Sequence, residues 1–186
     1  KLITQINNLK KNNKKIILHQ GEISVSRKND LLIKIVEYLP NNWVLGFIGI
    51  SDQMYMDFTN TVESNLNSKL HNFGFVDYSE LDSFYYYVDA CAIFYDSKTF
   101  NNKYCAPNRL YSAVNKGKPI IVNKDNATLN NFICRFGNGL SFSNENEIRM
   151  FFDNFEVYVQ KAKTLNGKYE FDSNIQQLSM YYSQIL

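Results

Sequence analysis

The sequence predicts an α/β protein: a Rossmann-like parallel sheet with helices on both faces. Three observations predict it. Short, unbroken apolar runs such as Ile16-Ile17-Leu18 and Ile120-Ile121-Val122 recur along the chain. Each is followed by residues at helical spacing. No linker or internal repeat interrupts that alternation beyond residue 14. Strands that are apolar on successive residues have both faces covered, as in a parallel sheet built from βα units. At 186 residues the chain is expected to form one domain and to bury roughly 70% of its unfolded surface.

Residues 1–14 are polar and lysine-rich and are expected to be a linker or the tail of a preceding segment, which places the domain at 15–186. Residues 15–19 give the first strand, ending in Gln20-Gly21. Leu31, Leu32, Ile35, Val36 and Leu39 form one helical face, capped by Asp30 and stopped by Pro40. Residues 43–50 form the second strand, followed by a helix over about 52–68 and a third strand at 70–75. Ser79 with Asp82 reads as a capping box for a helix reaching about Val88, which packs Phe84-Tyr85-Tyr86-Tyr87 on the sheet. Residues 90–95 are a continuous apolar strand.

Pro107 opens the next helix and Gly117 ends it, with Lys116 and Lys118 suited to its negative end. Strands at 120–122 and 140–142 flank a helix over 127–136, capped by Asp125 or Asn126 and stopped by Gly137. Helices from about Glu145 and about Asp172 complete the pattern.

The formal net charge is only +2, which argues against nucleic acid or an anionic membrane as the main partner. No apolar run approaches the roughly 20 residues of a membrane span. The three cysteines lack metal-ligand spacing; Cys91 and Cys134 lie in apolar runs and read as buried thiols, pointing to a reduced, cytoplasmic setting. There is neither a Walker loop nor a GxGxxG after the first strand. No Ser–His–Asp, Cys–His, paired-carboxylate or metal set assembles. His19 ends the first strand, where a structural role is favoured over one in a ligand crevice, and His71 reads as core or edge.

Ligands of such sheets bind beyond the carboxyl ends of the strands. Four loops there carry suggestive residues. Gly21 would let a ligand approach the backbone, and Arg27 would hold a diphosphate bidentately, or else be a solvated arginine before a helix. Gly49-Ile50-Ser51-Asp52 reads chiefly as a turn and a cap. Gly74 through Tyr78, with Val76, would accommodate a nucleobase, or simply pack. The helix opening at Pro107 presents free amides beside Asn108 and Arg109, a place for an anion, or is an ordinary capped helix.

Together these loops resemble the C-terminal, nucleotide-sugar-binding domain of GT-B glycosyltransferases, specifically the GT4-like retaining enzymes (glycosyl transferases group 1). The matching segments are Leu18-His19-Gln20-Gly21 with Arg27, Phe73-Gly74-Phe75-Val76-Asp77-Tyr78-Ser79-Glu80-Leu81, and Val88 through Tyr95. Pro107-Asn108-Arg109-Leu110-Tyr111 through Gly117-Lys118-Pro119-Ile120-Ile121 and Gly137-Asn138-Gly139-Leu140 follow in the family's order and spacing.

The resemblance implies that Gly21, Arg27, Asn108, Arg109 and Leu110 bind the donor diphosphate and sugar. Val76, Tyr78 and Ser112 would bind the base and ribose. It implies a retaining sugar transfer from a UDP- or GDP-sugar to a glycan or glycolipid, as in surface polysaccharide synthesis, with no cofactor and no metal. It further implies an N-terminal acceptor-binding domain outside this chain, no turnover by the chain alone, and peripheral association of the longer protein with the inner face of the membrane. Tyr181 and Tyr182 resemble the family's closing helix.

Two features depart from the family. Its Glu-x7-Glu pair is replaced by Tyr104 and Ser112, and its Arg after the first glycine by Glu22. These changes point to a weak or unusual donor, or to a non-catalytic GT-B-like nucleotide-sugar-binding or regulatory module. An unrelated Rossmann-like domain for another phosphorylated ligand is the remaining reading.

Overall fold

The computed structural model describes residues 2–169. Six parallel strands lie in the order β3-β2-β1-β4-β5-β6. They are β1 (Lys15–Gln20), β2 (Trp43–Ile48), β3 (Leu70–Gly74), β4 (Ala90–Ile93), β5 (Ile120–Asn123) and β6 (Gly139–Phe142). β1 pairs with β2 along its whole length, from Lys15 opposite Trp43 to Gln20 opposite Ile48. Its pairing with β4 is brief, Ile17 with Ala90 and Leu18 with Cys91. The chain therefore builds outward from β1 to one edge, then returns to the centre at β4 and builds outward to the other.

Alternate strand residues feed two separate cores, one on each face. Ile17, Leu45, Phe47, Ala92, Ile121 and Phe142 pack against α2 (Asn29–Tyr38), α3 (Asp52–Thr59), α8 (Ile148–Asp153) and α9 (Phe155–Lys163). Ile16, Leu18, Val44, Cys91, Ile93 and Val122 face the opposite layer. That layer comprises α1 (Leu2–Lys11), α4 (Tyr78–Phe84), α6 (Asn108–Asn115) and α7 (Ala127–Phe136). A short α5 (Phe100–Tyr104) lies in the β4–α6 connection. The expected double-sided sheet is thus present, and it accounts for the unbroken apolar runs.

Several local expectations need correction. Residues 2–11, expected to be a linker or the tail of a preceding segment, form the helix α1, with Ile6 buried on the sheet and Leu2 and Leu9 packed beside it. Lys10 also forms a salt bridge with Asp89, and the Asp89 carboxylate accepts the Ile16 amide. Asp30 lies inside α2 rather than capping it; the cap position belongs to Lys28, in a left-handed conformation at φ 53°. The helix expected over 52–68 ends at Thr59, and a 3-10 segment, Ser64–Lys69, leads into β3.

α4 begins two residues after Val76 with Asp77 at its cap position, so Ser79 and Asp82 form no capping box. Asp82 instead meets Lys116 at 2.8 Å. The helix from Glu145 breaks at Asn154 into α8 and α9. Asn126, not Asp125, caps α7 by accepting the Leu129 amide. Cys91 is buried as expected, but Cys134 is exposed: the apolar face of α7 is carried by Leu129, Phe132, Ile133 and Phe136. Tyr181, Tyr182 and the helix expected from Asp172 lie outside the described residues. Among the described residues no helix is long and apolar enough to cross a membrane.

Candidate functional site

The loops after β1 and β4 leave their neighbouring strands toward opposite edges of the sheet, opening a crevice at the carboxyl end between them. Gly21 forms its floor. Its φ of 86° is accessible chiefly to glycine, its amide donates to the Ile48 carbonyl, and the space above it is open. Gly49 and Gly74, at the ends of β2 and β3, share this left-handed backbone.

Two cations enter the crevice from different loops. Arg27 closes a 3-10 turn, Val25–Arg27, and its guanidinium lies 4.1 Å from the centre of the Tyr95 ring. Arg109, in the first turn of α6, places its guanidinium 4.9 Å from the same ring. Arg109 is only 8% exposed; it donates to the carbonyls of Gln20 and Phe94, at the ends of β1 and β4. Neither arginine forms a salt bridge among the described residues. Arg27 Nη1 and Arg109 Nε are buried without a hydrogen-bond partner. Burial, with the nearby Arg27 charge adding to it, pulls the Arg109 pKa below its ordinary value.

Two unpaired N–H groups on adjacent cations leave this place short of an anion. A cavity of about 200 Å³ fills it, lined by Gly21, Glu22, Arg27, Tyr95, Asn108 and Arg109. Four of the expected donor-site residues, Gly21, Arg27, Asn108 and Arg109, are therefore brought together. Leu110 is not among them: its side chain is buried in the core against the sheet and its amide is taken by the Pro107 carbonyl. Ser112 is half-buried one turn further along α6. The Glu22 side chain is exposed at the rim.

Val76 belongs to a second, larger groove of about 1000 Å³ at the ends of β2 and β3. There it lies with Ser51, Asp52, Gly74 and Phe75, and residues of α1 form a wall. Phe75 is 76% exposed, which leaves an aromatic face available in that groove. Tyr78 opens α4, and its side chain lies outside the described residues.

His19 is fully buried against Phe47, and Nε2 faces the Glu22 carbonyl at 3.2 Å. Burial, and then the Arg109 and Arg27 charges, lower its pKa to about 3. It is a neutral structural histidine beneath the crevice. His71 lies half-buried on the edge strand β3, and burial lowers its pKa too. Sequence reasoning missed Tyr95, Asn123 and Asp96. Tyr95 was hidden as the last residue of an apolar run; Asn123 is a polar residue buried at the end of β5, and Asp96 is one buried just past β4. An aromatic at a strand end, with a polar residue ending the next strand, was the available signal.

No family model and no curated sequence matches the chain. Solved structures match in fold. HepE from Anabaena, seen with UDP and with UDP-glucose, superposes with a TM-score of 0.71 at 14% identity over 98% of this chain. The chain has the Rossmann-like fold of one GT-B half. It spans 52% of HepE. A Staphylococcus aureus TarM mutant, solved with UDP, fondaparinux and α-GlcNAc-glycerol, gives a TM-score of 0.64 at 14% identity, over 89% of this chain and 35% of TarM. The catalytic domain of the Helicobacter pylori cholesterol-α-glucosyltransferase gives 0.60 at 15% identity, over 83% of this chain and 95% of that domain.

Proposed function

We propose that this chain is the donor-binding half of a glycosyltransferase, holding the diphosphate of a nucleotide-sugar between Gly21, Arg27, Asn108 and Arg109. The observation that carries this reading is the convergence of two guanidinium groups, each with a buried unpaired N–H, on one open cavity beside a left-handed glycine. The fold shared with proteins seen with UDP or UDP-glucose supports it. The larger groove at Val76 and Phe75 suits the base, and Ser112 the ribose side.

In chemical terms, the site would act on the leaving group. As the bond from the sugar to the diphosphate breaks, negative charge builds on the departing phosphate oxygens. Arg27 and Arg109, fixed before the reaction and partly shielded from water, would stabilise that charge more than they stabilise the intact donor. The amides heading α6 beside Asn108 would add to the field.

The finer reading is a GT4-like, retaining enzyme in which this chain is the C-terminal half and an N-terminal domain binds a glycan or glycolipid acceptor, in surface polysaccharide synthesis. On that reading the chain alone binds donor without turnover. A second reading, a nucleotide-sugar-binding module without catalysis, is favoured by Tyr104 and Ser112 at the positions of the family's glutamates. Calorimetric titration with UDP, GDP, ADP and CDP, for the wild type and Arg27→Ala, tests the donor site. Selective binding of one nucleotide, weakened in the variant, is the expected result; binding of none at millimolar concentration would sink the proposal. Sugar transfer by the chain joined to an acceptor domain separates the enzyme from the module.

A further inference from the structure

We propose that Tyr95 is the positioning residue of this site: its ring holds the Arg27 guanidinium in place at the cavity before any ligand arrives. The inference rests on the donor-binding reading above and deepens it. Arg27 has a long side chain and no salt-bridge partner among the described residues, so left to itself it would sample many rotamers. Ordering such a side chain on binding costs conformational entropy. A face of Tyr95 at 4.1 Å provides a cation–π contact that orders it beforehand.

The ring can do this because its own backbone is locked. The Tyr95 amide donates to Asn123 Oδ1 at 3.1 Å, and the Tyr95 carbonyl accepts from Asn123 Nδ2 at 2.7 Å. One buried carboxamide at the end of β5 thus grips both polar groups of one residue at the end of β4. The next residue secures the other partner. The Asp96 amide donates to the Ser26 carbonyl at 2.9 Å, tying the loop that carries Arg27 to the same strand end. Asp96 is itself buried and fixed by bonds from the Lys98 amide and Asn102 Nδ2 to Oδ1.

The ring also serves the second cation. Arg109 lies 4.9 Å from its centre, so two like charges meet the same negative π-face potential. That attraction offsets part of their mutual repulsion. For Arg27 the π-system, rather than the hydroxyl, is the part of Tyr95 that performs this role.

The test combines NMR of the arginine side chains with calorimetry on wild type, Tyr95→Phe and Tyr95→Leu. In the wild type and Tyr95→Phe, the Arg27 δ-methylene and Nε–H protons are expected to show upfield ring-current shifts without ligand; in Tyr95→Leu those shifts vanish. UDP affinity should stay within about threefold in Tyr95→Phe and fall about tenfold in Tyr95→Leu. In an Arg27→Ala background Tyr95→Leu should cost much less than in the wild type, only what the ring contributes through Arg109. Unshifted Arg27 protons in the wild type, or fully additive losses in the double variant, would overturn the assignment. Should Tyr95→Leu fail to fold, the shifts in the wild type and Tyr95→Phe decide the matter. A wild type with Arg27 held against the ring but no affinity for UDP would refute the donor-binding reading while upholding the hold on Arg27.

Discussion

The main-chain carbonyl of Gln20 accepts a hydrogen bond from the guanidinium of Arg109, 89 residues further along the chain. The same guanidinium reaches the Phe94 carbonyl at 3.4 Å, so one side chain closes the gap where β1 and β4 have ceased to pair. Arg109 is therefore a structural clamp as well as a cation. Replacing it with alanine leaves two carbonyls at the sheet centre without donors, and should cost about 2–4 kcal/mol in urea denaturation. Lysine restores a single point charge and should recover no more than half. Arg27→Ala, by contrast, should stay within about 1 kcal/mol of wild type while weakening nucleotide binding. Equal destabilisation by the two alanine variants would contradict this division of labour.

His19 makes stability depend on pH. Its folded pKa of about 3 lies below its ordinary 6.5, so the unfolded chain takes up a proton that the folded one refuses. The full contribution is present above pH 6.5 and is lost as pH falls toward 3, at about 1.4 kcal/mol per unit. Between pH 7.5 and pH 5.5 the wild type should therefore lose about 1.4 kcal/mol more than His19→Gln. Parallel pH profiles for the two proteins would rule out His19 as the cause.

Asn126 shows why a cap can resist a conservative change. Its Oδ1 accepts the Leu129 amide at 2.8 Å, while its Nδ2 donates to the Asn102 carbonyl at 2.7 Å, and Asn126 itself is out of contact with solvent. Asn126→Ala should cost about 2 kcal/mol. Asn126→Asp, neutral at most exposed caps, should cost at least as much, since it aims a carboxylate at a carbonyl. Thermal melts of the two variants compare them directly; a wild-type midpoint for the aspartate would overturn the argument.

Gly139 and Gly74 are both glycines in strands, yet their demands differ. A Cβ at Gly139 would sit 1.9 Å from the Ile120 carbonyl oxygen, so β6 could not keep its register on β5. Gly139→Ala should cost about 3 kcal/mol or prevent folding. At Gly74 nothing lies within 4 Å, and only its φ of 73° opposes a side chain. Gly74→Ala should cost about 1 kcal/mol. Reversal of that order in denaturant midpoints would refute the steric account.

The strands were legible because burial on both faces leaves a mark that few other structures leave, a run of apolar residues without alternation. That Gly21, Arg27, Asn108 and Arg109 lie around one cavity was legible because glycine, arginine and a helix start are unusual together at strand ends. Leu110, grouped with them in the sequence, does not line that cavity because adjacency along a helix does not mean a shared face: it points to the sheet. Nothing in the sequence said that Arg109 is buried, since arginine is ordinarily a surface residue and only its carbonyl partners explain its depth. α1 was missed although Leu2, Ile6 and Leu9 already held the spacing of one helical face; the surrounding lysines and asparagines obscured it.

That helix has a consequence for where the molecule can be cut. Trimming at Lys15, where the first strand starts, would leave every strand pairing intact and keep both arginines at their ring. It would also strip one side from the Val76 groove and uncover the apolar surface beneath Ile6. On the donor-binding proposal, such a trimmed protein would still sense phosphate charge while losing its discrimination among bases. The two tasks would then be separable by a single incision, because the arginine cavity is built wholly within the sheet's own loops while the Val76 groove borrows a surface from α1.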